Sequence, residues 1–225
     1  MAKEEKLNHY KKYFGKFYEQ CPGLWDFIEE SIQDGFYEAD VARQVAYAIH
    51  TLPEKYNVYK GFLEIVKKYH SLAQNICEIG TGFYPALSRD ILKEQQQLHK
   101  GSITAIDPEL IVPNHSKIKK KKDVIENNTS MQGYDLLLAY MPCEATIPMI
   151  TIASQHHLPY VLGMCGCIHD GSFIPFYPAE PQVRRYQKSI INYAKNNLEE
   201  NMELKIETLP EQYKVDFPIL VKKRK

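Results

Sequence analysis

Residues 77–85 read Cys77-Glu78-Ile79-Gly80-Thr81-Gly82-Phe83-Tyr84-Pro85. A short apolar run (75–80, NICEIG) leads into this stretch, and a helix-forming run (85–98) follows it. Two glycines between a strand and a helix permit a tight turn and let the backbone approach a ligand closely. The opening of the helix presents unpaired N–H groups and the positive end of its dipole. Pro85 suits that first turn, where its missing N–H costs nothing. In an open α/β sheet this is the ligand-binding edge.

Outward from the loop, strand and helix patterns alternate. Strands are expected at 75–80, 102–107 (SITAID), 117–124, 134–140 (YDLLLAY), 159–164 (PYVLGM), 202–208 and 217–223. Helices are expected at 85–98, 144–156 and 182–198, the last with Val183, Tyr186, Ile190 and Ala194 on one face. Such alternation implies a mostly parallel, seven-stranded sheet flanked by helices, an α/β Rossmann-like fold. Residues 1–75 show no strand pattern. Apolar residues at helical spacing, such as Val41, Val45, Ala48 and Ile49, predict helices at 6–20, 23–33, 38–51 and 55–69. The chain therefore divides into a helical N-terminal cap, 1–75, and an α/β domain, 76–225. The cap is rich in Tyr and Phe and holds the only tryptophan, Trp25. These aromatics serve either as packing or as the lining of an acceptor pocket.

Composition bounds the function. The 225 residues carry 28 basic and 28 acidic groups, 44% are apolar and 25% charged. That usage excludes disordered and low-complexity classes. Zero net charge argues against a protein that mainly coats nucleic acid. Two lysine-rich runs, Lys117 with Lys119 to Lys122 and the tail Lys222-Lys223-Arg224-Lys225, read as solvated surface or, alternatively, as contacts for RNA phosphates. No run is long and apolar enough for a membrane span. The charged N-terminus and five scattered cysteines (Cys21, Cys77, Cys143, Cys165, Cys167) predict a cytoplasmic protein with reduced thiols.

The loop itself narrows the ligand. A dinucleotide site expects G-x-G-x-x-G, and here Pro85 stands at the third glycine. Glu78, two residues before the first glycine, would repel a diphosphate and attract an ammonium or sulfonium group. The loop fits a cationic, phosphate-free ligand. On Glu78, Gly80 and Gly82 the sequence resembles the class I S-adenosylmethionine-dependent methyltransferases, whose first motif is acidic-x-Gly-x-Gly. Asp107, ending SITAID, matches the acidic strand end that binds ribose hydroxyls in that family, and Asp123 the acidic position near the adenine. The resemblance covers residues 76–225 and implies S-adenosylmethionine as cofactor, with Glu78, Gly80, Thr81, Gly82, Asp107, Asp123 and Tyr140 around it. The acceptor it implies is a small molecule or RNA. No membrane partner is expected, and the oligomeric state is not specified.

In such an enzyme the loop after the fourth strand faces the methyl group. Here it reads Ala139-Tyr140-Met141-Pro142-Cys143-Glu144. It resembles the N-P-P-Y motif of amino-group methyltransferases only loosely, with Tyr140 in place of Asn and Cys143 in place of the aromatic. Tyr140, Glu144 and His169 are the candidate catalytic residues, Glu144 or His169 as base. Glu144 could instead cap the next helix. Cys165, Cys167 and His169 could ligate a metal with Cys143, but the spacing is not C-x2-C and no metal is expected. A shorter resemblance, to the ribosomal RNA methyltransferases of aminoglycoside resistance, rests on Pro85 and on His50-Thr51 with Glu54-Lys55. The rival reading is a methyltransferase-like binding module that has lost catalysis.

Overall fold

A computed structural model describes residues 58–82, 85–95, 101–108, 110, 118–165, 180–211 and 217–225. The expected helices at 6–20, 23–33 and 38–51 lie outside the described residues, as do Cys167 and His169. The elements run α1 (Val58–His70), β1 (Asn75–Ile79), α2 (Ala86–Gln95), β2 (Ser102–Ile106), β3 (Ile118–Lys121) and β4 (Leu136–Tyr140). A 3-10 turn (Cys143–Ala145), α3 (Thr146–Gln155), β5 (Tyr160–Gly163), α4 (Glu180–Asn196), β6 (Met202–Glu207) and β7 (Ile219–Arg224) complete them. No helix among the described residues is long and apolar enough to cross a membrane.

The seven strands form one sheet in the order β3-β2-β1-β4-β5-β7-β6. Strands β1 to β5 pair in parallel, while β7 is antiparallel to both β5 and β6. Strand order reverses between β1 and β4, and such switch points are where open α/β sheets bind ligands. The buried runs NICEI and LLLAY take the centre because only a strand covered on both faces tolerates continuous apolar sequence.

Strand alternation sorts the side chains onto two faces. Ile76, Leu136, Leu138, Tyr140, Val161 and Val221 meet Phe62, Leu63 and Val66 of α1 and Leu87 and Ile91 of α2. Cys77, Ile79, Leu137, Ala139, Leu162 and Leu220 meet α3 and α4. Helix α1 therefore belongs to the packed core although its sequence reads with the helical cap. Its residues Phe62, Leu63 and Val66 form one stripe at helical spacing, each worth about 1.5–3 kcal/mol when buried. Between β3 and β4 the described chain contains no helix; buried Ile125 and Met131 cover the sheet there instead.

The lysine-rich runs take structural positions. Strand β3 is a sheet edge, and its lysines blunt further strand pairing. The ammonium of Lys121 sits 3.0 Å from Asp123. In the tail, Lys222 is 2% exposed and bonded to Glu199, Lys223 is paired with Glu203, and Lys225 donates to the Glu200 carbonyl. The tail is thus largely engaged with the protein's own acidic groups and carbonyls.

Candidate cofactor site

The glycine loop is held from two sides. Gly80 (φ +69°) donates its N–H to the Ile106 carbonyl at 3.0 Å, and Gly82 (φ +68°) donates to Asp107 Oδ2 at 2.8 Å. Both glycines have left-handed backbone, which costs other residues roughly 1–2 kcal/mol. Around them is a cavity of about 500 Å3, within the range of small-molecule sites. It opens where β1, β2, β3 and β4 end, lined by Gly80, Gly82, Asp107, Asp123 to Ile125 and Met141 to Ala145.

Of the expected cofactor residues, the structure brings Gly80, Gly82, Asp107 and Asp123 to this cavity. Asp107 is 9% exposed, and its oxygen on the Gly82 N–H fixes the carboxylate beside the loop. An ionised carboxylate offers about four acceptor sites, so a second donor can still be received. Asp123 is exposed; its Oδ1 accepts the Val124 N–H at 2.9 Å, and Lys121 holds its carboxyl below the usual range. Thr81 is half-buried, with its hydroxyl on the Gly82 carbonyl at 3.1 Å, and does not line the cavity.

Glu78 also lies elsewhere than expected. Alternation along β1 turns it towards α2, where Oε2 accepts both the backbone N–H (2.9 Å) and the hydroxyl of Ser88. Burial is the main reason that its carboxyl rises to about 7; the two Ser88 bonds oppose the shift, and the negative charges of Asp90 and Asp107 reinforce it. Glu78 therefore supports the loop from below instead of lining the cavity. Its folded pKa is raised from 4.5, so its contribution to stability is full below pH 4.5 and is lost as pH rises through about 7. The difference in unfolding free energy between Glu78→Gln and the wild type is accordingly expected to change by on the order of 3 kcal/mol between pH 4 and pH 8, the variant gaining. Urea denaturation across that range measures it.

Of the expected catalytic residues, Glu144 lines the cavity. It stands in the 3-10 turn before α3, whose N-cap Ala145 makes no side-chain capping bond; the helix opens at Thr146, two residues after the expected start. Tyr140 does not reach the cavity. Its position on β4, in phase with Leu136 and Leu138, packs its ring edge-on against Tyr59 and Phe62, each with ring centroids 5.4 Å away. The period of two assigns it to the α1 face, away from the position that both roles expected of it require. His169 lies outside the described residues. Among the described residues no group of three His, Cys, Asp or Glu is placed to hold a metal ion.

The sequence reading missed Ser88, and it placed Met141 and Pro142 in the methyl-facing loop without assigning either a role. Ser88 stands at the third position of α2, where a buried acceptor on the preceding strand can reach it, and that spacing was the available signal. Met141 and Cys143, at φ +56° and +50°, flank Pro142 in left-handed backbone and line the cavity. They are held by Met141 N–H on the Gly163 carbonyl (2.8 Å) and Ala145 N–H on the Pro142 carbonyl (3.0 Å). Backbone of this kind concentrates at functional sites.

No family model matches the chain, and no curated protein matches it. Solved structures do. The plantazolicin methyltransferase BpumL in complex with a triazolic desmethylPZN analog and SAH aligns with a TM-score of 0.53 at 15% identity, over 94% of this chain and 99% of that one. Its complex with a pentazolic analog and SAH gives 0.52 at 14% identity, over 93% and 99%. With the strand order, these likenesses establish the fold: the chain has the Rossmann-like fold of the class I methyltransferases.

Proposed function

We propose that the protein is an S-adenosylmethionine-dependent methyltransferase. The observation that carries this reading is the glycine loop held on Asp107 by the Gly82 N–H, at the rim of a cavity at the sheet's switch point. The residues fit that cofactor. A Cβ on Gly82 would meet no atom within 4 Å, so the backbone there is open to a ligand. In this reading Asp107 receives the ribose hydroxyls, and the apolar Val124 and Ile125 cover the adenine. S-adenosylmethionine, when bound, supplies an electrophilic methyl group on a sulfonium centre. The chain's own part is to orient the acceptor and exclude water, with Glu144 placed to take a proton from an acceptor atom. The solved structures of similar fold, of a methyltransferase in complex with SAH, support the reading.

The acceptor belongs to the same proposal. A small molecule is favoured over RNA because the basic tail is spent on Glu199, Glu203 and the Glu200 carbonyl. The cap read at 1–75 would close over that acceptor, and α1 joins it to the core. A cytoplasmic setting completes the reading; the buried Cys77 thiol, pushed up to about 12 by burial, stays protonated and unreactive there.

Calorimetric titration with S-adenosylmethionine and S-adenosylhomocysteine is the test. Binding of both in the micromolar range, with methyl transfer to a component of a small-molecule extract, is the expected result. No binding at millimolar ligand would sink the proposal, and binding without transfer would leave the methyltransferase-like binding module.

A further inference from the structure

Glu78 is a buried acid under the cofactor loop whose immediate partner is an uncharged serine. Ser88 places two donors on one carboxylate oxygen, its N–H at 2.9 Å and its hydroxyl. Both residues are buried, Ser88 completely. The contact spans the loop: Glu78 is the next-to-last residue of β1, and Ser88 the third of α2. The other charged groups acting on Glu78 among the described residues are Asp90 on α2 and Asp107 at the end of β2, both negative. Cys77, beside it on β1, faces the opposite side of the sheet and stays neutral. Negative groups therefore act on Glu78 from α2 and from the end of β2, and the two donors of Ser88 are what favours its ionised form.

We propose that Ser88 is a positioning residue for the cofactor: through its two hydrogen bonds it holds a negative charge on Glu78 beneath the glycine loop, and so sets the pH range in which the site accepts a cationic ligand. This rests on the methyltransferase reading above. A positive ligand over the loop supplies the countercharge that Asp90 and Asp107 deny. It favours ionised Glu78, so binding releases a proton to the buffer from those molecules in which Glu78 was protonated. Affinity for the cation then rises with pH through neutrality. S-adenosylmethionine carries one positive charge more than S-adenosylhomocysteine, so the rise is steeper for it. A ligand-induced pKa shift of one unit corresponds to tenfold in affinity.

The experiment is calorimetry with both nucleotides between pH 5.5 and 8.5, repeated in buffers of different ionisation enthalpy to count protons released. In the wild type the affinity for S-adenosylmethionine is expected to rise by up to about tenfold over this range, and that for the homocysteine by clearly less. The sulfonium lowers the amino pKa of S-adenosylmethionine below that of S-adenosylhomocysteine, so each free ligand is titrated separately and its contribution subtracted from its own profile. Ser88→Ala removes one donor and is expected to move the midpoint of the rise to higher pH, with Ser88→Thr restoring it. Glu78→Gln is expected to abolish both the difference between the ligands and the proton release near pH 7. Identical midpoints in Ser88→Ala and the wild type would overturn the proposal, as would a ligand difference that survives Glu78→Gln. If the wild type binds neither nucleotide, it is the methyltransferase reading that fails; binding with a flat pH profile defeats the Ser88 proposal alone.

Discussion

Gly80→Ala is expected to destabilise the protein by about 3 kcal/mol and to abolish binding of S-adenosylmethionine. Two costs combine. A left-handed residue with a side chain costs roughly 1–2 kcal/mol. The added Cβ would also stand 2.7 Å from Pro142 Cβ and 2.9 Å from its Cα. The Cα is backbone, and it cannot withdraw freely: Met141 and Ala145 on either side are bonded through their N–H groups to Gly163 and Pro142 carbonyls. Overpacking against so fixed a partner costs about 1–3 kcal/mol. Relief comes from moving the loop, which breaks the Gly82 to Asp107 bond and so the proposed cofactor site. Gly82→Ala is the control. At φ +68° it bears the same backbone strain, but its Cβ would meet no atom within 4 Å. It is expected to lose only about 1–2 kcal/mol while its methyl group enters the cavity and weakens binding. Urea denaturation and calorimetry on the two variants separate the effects. Equal unfolding midpoints would show that β1 and β4 do not approach at Pro142 as described.

The contrast between these glycines shows what was legible in the sequence. That the loop joins a strand to a helix followed from NICEIG, the two glycines and Pro85, and the seven strands from apolar runs of the right length. The reversal of β7 was not legible, because an eleven-residue connection between β6 and β7 fits either direction. The site was legible in proportion to how much depended on backbone position. Gly80, Gly82, Asp107 and Asp123 lie at strand ends or in loops, where topology fixes location. Glu78 lies inside β1 and Tyr140 is the last residue of β4, and for a residue on a strand the phase of alternation decides which face it serves. A motif match cannot supply that phase, and each proved to serve the α1 and α2 side. Ser88 and Pro142 matter through contacts across ten and about sixty residues, which no local pattern encodes.

The same phase governs the second large effect. FPILVKKR reads as an apolar strand running into a cationic tail, yet Lys222 stands opposite buried Tyr160 in the β5–β7 register. Its Nζ donates to the Ala153 carbonyl at 2.9 Å, near the C-terminus of α3, and to Glu199 Oε1 at 2.7 Å, before β6. An ammonium at a helix C-terminus also meets the negative end of its dipole. One side chain thus ties β7, α3 and the α4–β6 connection together. Burial lowers the Lys222 pKa and Glu199 opposes that, so the pair stands or falls as a unit. Lys222→Met keeps the apolar stem and removes the charge. Among the described residues it leaves Glu199, whose side chain is 14% exposed, with the solvent-facing His157 at 3.5 Å as its remaining ionic neighbour. A buried partner left in this way costs about 3–5 kcal/mol, and a loss of that size is expected in urea denaturation. Adding Glu199→Gln removes the stranded charge, so the double variant should be more stable than the sum of the two single losses by at least 1 kcal/mol. Strict additivity, or a Lys222→Met loss below about 1 kcal/mol, the value of an exposed pair, would mean that the tail is a solvated cationic surface after all. That result would return RNA to the front of the candidate acceptors.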